Sequence, residues 1–337
     1  MKPKYSPSVT IVMAVYNGEK FLARSIESIL NQDFEDWELI CVDDGSTDSS
    51  LTVIKEYARR DARLRVISQQ NAGPARARMA GYKESRGEYT FIGVDQDDFV
   101  AKDFLGRLWN TVSRTGADVV LCDWQTENNA GEFSSLLARN GIEYSREFTG
   151  RDAFELTFPW RIHAIGLWRK DLVERFAKDD NNAFNSYDSE EYLARLIMLN
   201  AKKVAISRAT YYHCRNSNSI TSGNSTKKLQ SLDTNERLFH LAATQSAEQR
   251  VLWRIILYQR NYLANLLKMI YEMRRHGELS AELFKRHLSE IDKYLYKLFE
   301  GARSTSQGSL SMRLEAEKMI MKLKARRIIA GFQIPSR

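Results

Sequence analysis

The chain has 337 residues, 43 % of them hydrophobic and 11 % aromatic, which is enough to bury the core of a globular protein of about two domains. Its 17 glycines, 5 prolines and 28 % charged residues exclude a collagen, a coiled-coil rod and a disordered tail. The net charge of +7 is unevenly divided, because residues 221–337 contain 21 Lys and Arg against 11 Asp and Glu, whereas residues 1–220 contain 29 against 32.

The sequence has no stretch near the roughly 18 uncharged apolar residues that a membrane-spanning helix needs. Its first residues lack the apolar segment of a secretion signal. We therefore expect a cytoplasmic protein. The basic C-terminal third is typical of a region that contacts an anionic membrane or nucleic acid, and equally of a solvated helical face.

The N-terminal part alternates short β-branched runs with amphipathic stretches. The runs predict strands at residues 9–15, 37–42, 64–68, 89–94 and 118–122. The stretches between them predict helices at residues 19–31, 48–60, 74–85 and 102–114. Strict alternation of strand and helix implies right-handed crossovers, so we expect an α/β fold with a mainly parallel central sheet.

The middle of the chain is less regular. Residues 123–150 are polar and are predicted to form an irregular connection. A helix is predicted at residues 188–200, and short strands are predicted at residues 203–206 and 210–214.

A loop rich in Ser, Asn, Thr and Gly at residues 216–225 is predicted to end the first domain. We therefore expect one domain at residues 1–220 and a helical C-terminal region at residues 221–337. The predicted helical segments of that region lie within residues 252–267, 283–298 and 312–329.

Carboxylates gather at the ends of two predicted strands. Asp43 and Asp44 follow the run that ends at Val42, and residues 95–98, Asp-Gln-Asp-Asp, follow the run that ends at Val94. Loops at the carboxyl ends of the strands form the ligand crevice of an open α/β sheet. Both acidic turns are therefore expected to face one cleft.

The second turn has three carboxylates within four residues, which repel one another unless a cation or hydrogen bonds offset their charge. Oxygen ligands suit Mg²⁺ or Mn²⁺, which take one or two carboxylates and complete their shell with substrate phosphates and water. The alternative is that the acids cap helices starting near Asp48 and Asp103. Capping accounts for one or two of them and not for the cluster.

Motifs in a known order run through the first half of the chain. They are Val-Thr-Ile-Val-Met-Ala-Val-Tyr-Asn-Gly at residues 9–18, Ser-Ile-Leu-Asn-Gln at 28–32, Val-Asp-Asp-Gly-Ser-Thr-Asp at 42–48, Asn-Ala-Gly-Pro at 71–74 with Arg78 and Gly81, Gly-Glu-Tyr at 87–89 and the acidic turn at 95–98. In these motifs the sequence resembles the family 2 glycosyltransferases of GT-A fold, in particular those of bacterial polysaccharide biosynthesis. Ala14 stands where the family usually has proline, and Met79 where asparagine commonly follows the arginine. Neither departure removes a charged group.

The resemblance implies a site for a nucleotide-sugar donor in the first domain, which would be the catalytic domain. Val15, Tyr16 and Asn17 are expected to line the nucleotide pocket. Asp43 is expected to accept a hydrogen bond from the base of a uridine-type nucleotide, and Arg78 to lie beside the nucleotide.

Asp95 and Asp97 match the DxD motif of the family. The resemblance implies that Asp95 lies nearer the ribose and that Asp97 is the principal ligand of Mn²⁺ or Mg²⁺ on the diphosphate, with Asp95 beside it. Residues 211–215 and 219–221 resemble a Tyr-rich strand and a loop that closes over the substrates. Arg215 is accordingly expected to reach the diphosphate, and His213 either joins the cation site or is structural.

An inverting transfer also needs a general base within hydrogen-bond reach of the acceptor hydroxyl. The family often places an acidic pair at the start of a helix with an arginine six or seven residues later, and Asp188 precedes Arg195 by seven. We expect Asp188 to be the base, with Glu190 as the alternative. Glu191 is a third candidate that also fits an i,i+4 ion pair with Arg195.

Two further segments have two interpretations each. Residues 158–163 and Trp168 lie where the resemblance implies the acceptor surface, and their aromatic rings either stack on sugars or fill the core. Residues 319–329 mix bulky apolar and basic side chains, which is typical of a helix lying on anionic lipid and also of a packed helix with a basic outer face.

The sequence thus predicts a metal-dependent, inverting glycosyltransferase that moves a sugar from a UDP-linked donor to a saccharide or lipid-linked saccharide in surface polysaccharide biosynthesis. We expect it in the cytoplasm, with no nucleic-acid partner, and its basic C-terminal helices either contact the inner face of the membrane or pack with a basic outer face. Two alternatives stay open. One is a catalytically inactive GT-A scaffold that binds sugars or a partner. The other is a sugar-phosphate nucleotidyltransferase, although residues 15–19 have only one glycine for a phosphate loop.

Overall fold

The computed structural model describes residues 6–144, 146–158, 160–177, 189–216, 225–245 and 249–305. The chain divides into two compact units, Met1–Ser217 and Asn218–Arg337. The first unit has a mixed α/β fold, and the described residues of the second unit are helical.

The strands of the first unit are β1 (Val9–Val15), β2 (Trp37–Asp43), β3 (Leu64–Ser68), β4 (Tyr89–Asp95), β5 (Phe99–Val100), β6 (Val119–Glu127), β7 (Phe133–Ser135), β8 (Glu147–Phe148), β9 (Gly166–Arg169) and β10 (Val204–His213). They form one sheet in the order β3-β2-β1-β4-β9-β6-β10-β5, with β7 on β6 and β8 on β10. β1 is parallel to β2 and β4, β2 is parallel to β3, and β6 is parallel to β10. β9 is antiparallel to both β4 and β6. The prediction of an α/β fold with a mainly parallel central sheet is confirmed.

The helices of the first unit are α1 (Leu22–Leu30), α2 (Ser50–Arg60), α3 (Pro74–Lys83), α4 (Phe104–Thr115), α5 (Leu136–Arg139), α6 (Gly150–Leu156), α7 (Lys170–Phe176) and α8 (Ser189–Asn200). They cover both faces of the sheet. Ile11 and Met13 of β1 face the cluster that α1, α2 and α4 complete, and Val12 faces the cluster that α3, α7 and α8 complete. A strand buried on both faces is expected to be mostly apolar, and residues 9–15 are apolar except for Thr10, whose hydroxyl donates to Glu38 Oε1 (2.8 Å).

Helix α3 lies close to β1 because of Gly81. A Cβ at Gly81 would lie 2.3 Å from Val12 Cγ1, far inside the contact distance of two carbon atoms. Any side chain there would move α3 away from the sheet, and α3 carries Arg78.

Parts of the first unit differ from the sequence prediction, and β5, α6 and α7 were not predicted. Residues 123–150, predicted to be irregular, contain the end of β6 together with β7, α5 and β8. The segments 203–206 and 210–214 are one strand, β10, whose pairing with β6 shifts register between them. β9 was not predicted, because it has only four residues and begins at Gly166. Glycine is needed there, since a Cβ at this position would lie 2.1 Å from the carbonyl oxygen of Val120.

The second unit begins, in its described part, with a 3-10 helix at Thr226–Gln230, followed by α9 (Ser231–Thr244), α10 (Gln249–Arg275) and α11 (Ala281–Thr305). α10 packs against α9 and α11, and Leu263, Ile270 and Ile291 are fully buried. Among the described helices, none combines the length and apolar content needed to cross a membrane. The segment 312–329, with its basic stretch, lies outside the described residues.

Candidate functional site at the carboxyl edge of the sheet

Loops that follow three parallel strands meet at one edge of the sheet. β1 and β2 pair so that Val15 lies opposite Asp43, and β1 and β4 pair so that Ala14 lies opposite Asp95. The two acidic turns therefore lie on either side of the loop after β1. This is the arrangement in which the carboxyl ends of parallel strands form a ligand site.

The loop after β1 is held by both of its neighbours. Gln96 donates from Nε2 to the carbonyl of Tyr16 (3.0 Å) and accepts at Oε1 from the N–H of Tyr16 (2.8 Å). Asn17 has a left-handed backbone (φ 50°), and its Oδ1 accepts from the N–H of Thr47 (2.8 Å). Val15 is buried, whereas Tyr16 is 46 % exposed. The predicted nucleotide-pocket residues thus lie between the two acidic turns, and the Tyr16 side chain is open to solvent.

Asp43 and Asp44 have different surroundings although they are adjacent. Asp43 is 1 % exposed and accepts from the N–H of Ser46 (3.3 Å) and the hydroxyl of Ser68 (3.2 Å). Asp44 accepts from two backbone N–H groups just before α3, at 2.9 and 2.8 Å, and from Gln69 Nε2 (2.8 Å). Asp44 therefore orders the chain that enters α3, a role that its place in the acidic cluster did not indicate.

Arg78 joins the acidic turn to helix α8. From α3 its guanidinium forms ion pairs with Asp95 and Glu190, and its side chain is 12 % exposed. Burial lowers the pKa of Arg78, but the two carboxylates outweigh burial and raise that pKa above its ordinary value. Burial also raises the pKa of Glu190, an effect that Arg78 opposes. The structure thus brings a predicted nucleotide residue into contact with a candidate base.

The turn after β4 presents the oxygens of Asp95 and Asp97. Asp97 Oδ2 accepts from Asn216 Nδ2 (2.8 Å), and the Asp97 carbonyl accepts from Arg24 (2.6 Å). No group of three or more His, Cys, Asp or Glu in the described part of the chain is arranged to hold a metal unaided. Two aspartates nevertheless fit Mg²⁺ or Mn²⁺, which need few protein ligands when phosphates supply the rest.

Asp98, the third acid of this turn, is structural. It is 1 % exposed and accepts from the Tyr211 hydroxyl (2.6 Å), His213 Nδ1 (3.0 Å) and the Cys214 N–H (2.7 Å). Burial raises the pKa of Asp98, and its bonds to His213 and Tyr211 oppose the rise. For His213 burial has the opposite effect and lowers the pKa, but the hydrogen bond to Asp98 and its negative charge outweigh burial, so the pKa of His213 is raised overall. Because Nδ1 faces Asp98, Nε2 is the nitrogen of His213 left to meet a ligand.

The remaining predicted site residues are Arg215, Asp188 and residues 219–221. Arg215 is exposed, and its backbone N–H donates to Glu127 Oε2 (2.8 Å). Within the described residues, no hydrogen bond or ion pair joins Arg215 to the acidic turn. Asp188 and residues 219–221 lie outside the described residues, so their roles stay predictions.

Glu191 faces a different group from Glu190. It forms an ion pair with Arg195 one turn along α8. Arg195 is 3 % exposed, and it donates from Nε to the Thr157 hydroxyl (3.1 Å). Its guanidinium lies 5.1 Å from the ring centre of Phe158 and 4.8 Å from that of Trp160.

An aromatic cluster lies beside this ion pair. The rings of Trp160 and His163 are 5.2 Å apart, those of His163 and Trp124 4.4 Å, and those of Trp124 and His213 5.1 Å. Trp168, in contrast, is fully buried within the sheet. Trp168 therefore fills the core and is not part of an acceptor surface. Trp160 and His163 are half-buried.

The sequence pattern did not single out Trp124 or Gln96 as site residues. Trp124 lies on β6 beyond the predicted end of that strand, and the alternation of Cys122, Trp124 and Thr126 was a signal that the strand continues. Gln96 lies between two acids, and no local pattern distinguishes it.

Comparison with known proteins gives a family and related folds. Residues 10–176 match the family described as glycosyl transferase family 2. The chain is 37 % identical over 174 residues to an uncharacterized glycosyltransferase, EpsJ, of Bacillus subtilis, and the match covers 50 % of each chain, so this chain spans about half the length of that curated relative. It is similar in fold to S. aureus TarS 1-349 in complex with UDP-GlcNAc (TM-score 0.63, 18 % identity, 88 % of this chain and 83 % of the other). It is also similar to the mannosyltransferase PcManGT from Pyrobaculum calidifontis in complex with GDP-Man and Mn²⁺ (TM-score 0.52, 15 % identity, 91 % and 89 % covered).

Proposed function

The chain belongs to glycosyl transferase family 2, and we propose that it transfers a sugar from a nucleotide-diphosphate sugar to a hydroxyl of a saccharide or lipid-linked saccharide. The observation that carries this proposal is the turn after β4. There Asp95 forms an ion pair with the buried cation Arg78, Asp97 lies two residues further along the turn, and Asp43 ends β2 on the other side of β1. Cation ligands and a recessed hydrogen-bond acceptor match the phosphates and the base of a nucleotide.

The proposed donor is a UDP-sugar. Asp43 is a buried carboxylate and accepts hydrogen bonds only, so it suits the imide N–H of uracil. Val15, Tyr16 and Asn17 would contact the nucleoside from the loop beside it, and Arg215 would approach the diphosphate. UDP-GlcNAc in the TarS structure supports this donor class.

Asp97 is proposed as the main ligand of Mn²⁺ or Mg²⁺, with Asp95 as the second. A bound cation would stabilise the negative charge that develops on the departing diphosphate. The oxygen-only donor set supports this assignment, and Mn²⁺ in the PcManGT structure is consistent with it. Arg78 would keep Asp95 oriented while the nucleotide binds.

The proposed reaction is a single displacement with inversion. The acceptor oxygen forms a bond to the anomeric carbon while the bond from that carbon to the diphosphate oxygen breaks. The electron pair of that bond leaves with the nucleoside diphosphate, and the hydroxyl proton passes to a carboxylate.

We favour Glu191 as the carboxylate that takes the proton. Glu190 is engaged by Arg78 next to Asp95, on the donor side. Glu191 pairs with Arg195 beside the aromatic cluster, on the side left for an acceptor. Glu190 then acts as a positioning residue for Arg78, and Asp188 stays the alternative base.

Glutamine variants separate these roles, because they remove charge and keep shape. For Glu191→Gln we expect turnover to fall by about 10² to 10⁴ with UDP binding unchanged. For Glu190→Gln we expect weaker UDP binding, since Arg78 loses one of its two anchors. Loss of turnover in Asp188→Asn with full turnover in Glu191→Gln would assign the base to Asp188.

The donor site is tested by calorimetric titration with UDP, GDP, CDP and dTDP, with and without Mn²⁺. We expect one nucleotide, UDP, to bind in a Mn²⁺-dependent way, and Asp97→Asn to weaken it at least about tenfold. The matched control is Asp103→Asn, which alters an exposed acid paired with Arg107 and should leave binding unchanged. Failure of every nucleotide to bind under both conditions would contradict the proposal.

A role in surface polysaccharide biosynthesis and contact with the inner face of the membrane stay predictions. The segment 319–329 on which membrane contact was predicted lies outside the described residues. Binding to anionic vesicles that is unchanged by deletion of residues 311–337 would contradict it.

A further inference from the structure

Helix α1 lies along the acidic turn after β4 and contacts it through polar side chains. Ser25 is fully buried, and its hydroxyl is within hydrogen-bond distance of the carbonyls of Gln96 (2.7 Å) and Asp98. Arg24 is exposed, and its Nη2 donates to the carbonyl between them, that of Asp97 (2.6 Å). Two neighbouring residues of α1 thus engage three consecutive carbonyl groups of the turn that carries the proposed cation ligands.

The same side of α1 also holds the chain that follows the turn. Ser28 Oγ accepts from the N–H of Val100 (3.3 Å). Gln32 is buried, and its Nε2 donates to the carbonyl of Ala101 (2.7 Å). Residues 25, 28 and 32 are three and four positions apart, so they lie along one face of the helix. This face gives a physical role to the serine and the glutamine of the Ser-Ile-Leu-Asn-Gln motif.

The acidic turn needs such support because it concentrates negative charge. Its three carboxylates lie within four residues, and like charges repel one another. Asp98 has its own hydrogen-bond donors, whereas Asp95 and Asp97 have to stay close together for one cation to bind both. The hydrogen bonds from α1 end on backbone carbonyls and occupy no carboxylate oxygen. They can therefore order the turn without competing for its cation ligands.

We propose that Ser25 and Arg24 are positioning residues for the cation site, and that α1 sets its affinity for Mn²⁺ or Mg²⁺ by holding the turn in one conformation before the cation binds. Ligands that are already in place bind more tightly, because less freedom is lost on binding. This inference rests on the proposed function, since the cation is the one that would bind the donor diphosphate. It adds two residues that lie outside the motifs of the family resemblance.

Ser25→Ala is the main test, because it removes one hydroxyl and no charge. Electron paramagnetic resonance of free Mn²⁺, on the full chain with saturating UDP, measures the cation affinity. We expect Mn²⁺ binding to weaken about tenfold, as it does when an outer-shell hydrogen bond is lost. Saturation-transfer NMR should show that uridine, which has no phosphate, binds as it does to the wild type.

The matched control is Ser85→Ala. It removes a buried hydroxyl that is bonded to Thr90 near the other end of β4 (2.9 Å). This control makes the same substitution away from the turn, so it should leave the Mn²⁺ affinity unchanged.

Arg24 gives a second test, in which charge and position predict opposite results. Its cation lies beside Asp97, so loss of the charge alone would strengthen Mn²⁺ binding. If Arg24 acts by holding the Asp97 carbonyl, Arg24→Ala should weaken Mn²⁺ binding about threefold. Arg24→Lys keeps a donor and should retain most of the affinity. The control Arg60→Ala removes another exposed arginine that lies over a ring, that of Tyr57, and should bind Mn²⁺ as the wild type does.

Hydrogen exchange of the turn needs no ligand, so it separates this inference from the proposed function. In Ser25→Ala the amide hydrogens of residues 96–100 should exchange faster than in the wild type and in Ser85→Ala. The inference is overturned if this exchange is unchanged, or if Ser25→Ala binds Mn²⁺ as tightly as the wild type or as the Ser85→Ala control. Tighter Mn²⁺ binding by Arg24→Ala would also overturn it. A wild-type chain that binds neither a nucleotide nor Mn²⁺ contradicts the proposed function, and the exchange result then decides by itself whether α1 holds the turn.

Discussion

Arg78→Met removes the buried cation that joins α3, the acidic turn and α8. Methionine keeps most of the apolar stem, so the main change is that Glu190 and Asp95 lose their partner. Breaking a buried ion pair from one side costs about 3–5 kcal/mol. The side chains of Asp95 and Glu190 are 42 % and 26 % exposed, so water replaces part of the interaction of each carboxylate with Arg78. We therefore expect a loss near the lower end, about 3 kcal/mol, arising mainly at Glu190.

This loss should depend on pH. Burial already raises the pKa of Glu190, and Arg78 opposes the rise, so the variant raises that pKa further. A carboxyl group whose pKa is raised in the folded state contributes stability while it is protonated, and this contribution is lost as pH rises through the folded pKa. The deficit of the variant should therefore be largest at about pH 8 and smaller at about pH 5.

Urea unfolding followed by circular dichroism measures the deficit at the two pH values. Arg107→Met is the control, because it breaks an exposed pair with Asp103 and should cost at most about 1 kcal/mol. Arg78→Met combined with Glu190→Gln leaves no buried charge and should recover much of the loss. The reasoning would be refuted if Arg78→Met lost the same free energy of unfolding at both pH values and if the losses of Arg78→Met and Glu190→Gln simply added in the double variant.

Two further substitutions test the packing that positions the site. Gly81→Ala would place its Cβ 2.3 Å from Val12 and should destabilise the fold by about 1–3 kcal/mol. The matched Gly106→Ala, whose Cβ meets only a flexible side chain, should be nearly neutral in the same unfolding assay, and an equal loss in both would contradict the close approach. Asp44→Ala leaves backbone N–H groups such as that of Gly73 without an acceptor and should cost about 1–3 kcal/mol. Its UDP affinity should also fall, and an unchanged melting temperature would count against the structural role.

The central strands could be predicted because burial on both faces favours runs of mostly apolar residues. Residues 9–15 and 37–42 therefore read as central strands, and the observed bounds agree closely. The acids at the carboxyl ends were also visible, since each cluster follows an apolar run directly.

Strand β6 was predicted too short because backbone pairing does not require apolar side chains. Gln125 and Thr126 pair with β7 on one side and β10 on the other. Their polarity suggested a loop, and only the position of β7 and β10 beside them makes them a strand.

Contacts between distant residues were beyond the sequence. Arg78 and Glu190 are separated by 112 positions, and neither local pattern indicates the other. Asp98 resembles Asp97 in sequence, and Asp44 resembles Asp43. Their structural roles depend on which hydrogen-bond donors the folded chain brings to each carboxylate.

Gln96 directly follows Asp95, which forms the last residue pair between β1 and β4 with Ala14. Its carboxamide donates to and accepts from the backbone of Tyr16, as the backbone of a paired strand residue does. The side chain of Gln96 therefore extends the hydrogen-bond pattern of the two strands beyond their ends. A glutamate in its place could accept from Tyr16 but could not donate, and it would add another negative charge to the turn. An inserted residue in the loop after β1 or in the loop after β4 would separate Gln96 from Tyr16 and break these two hydrogen bonds. Both loops should therefore tolerate changes of side chain better than changes of length.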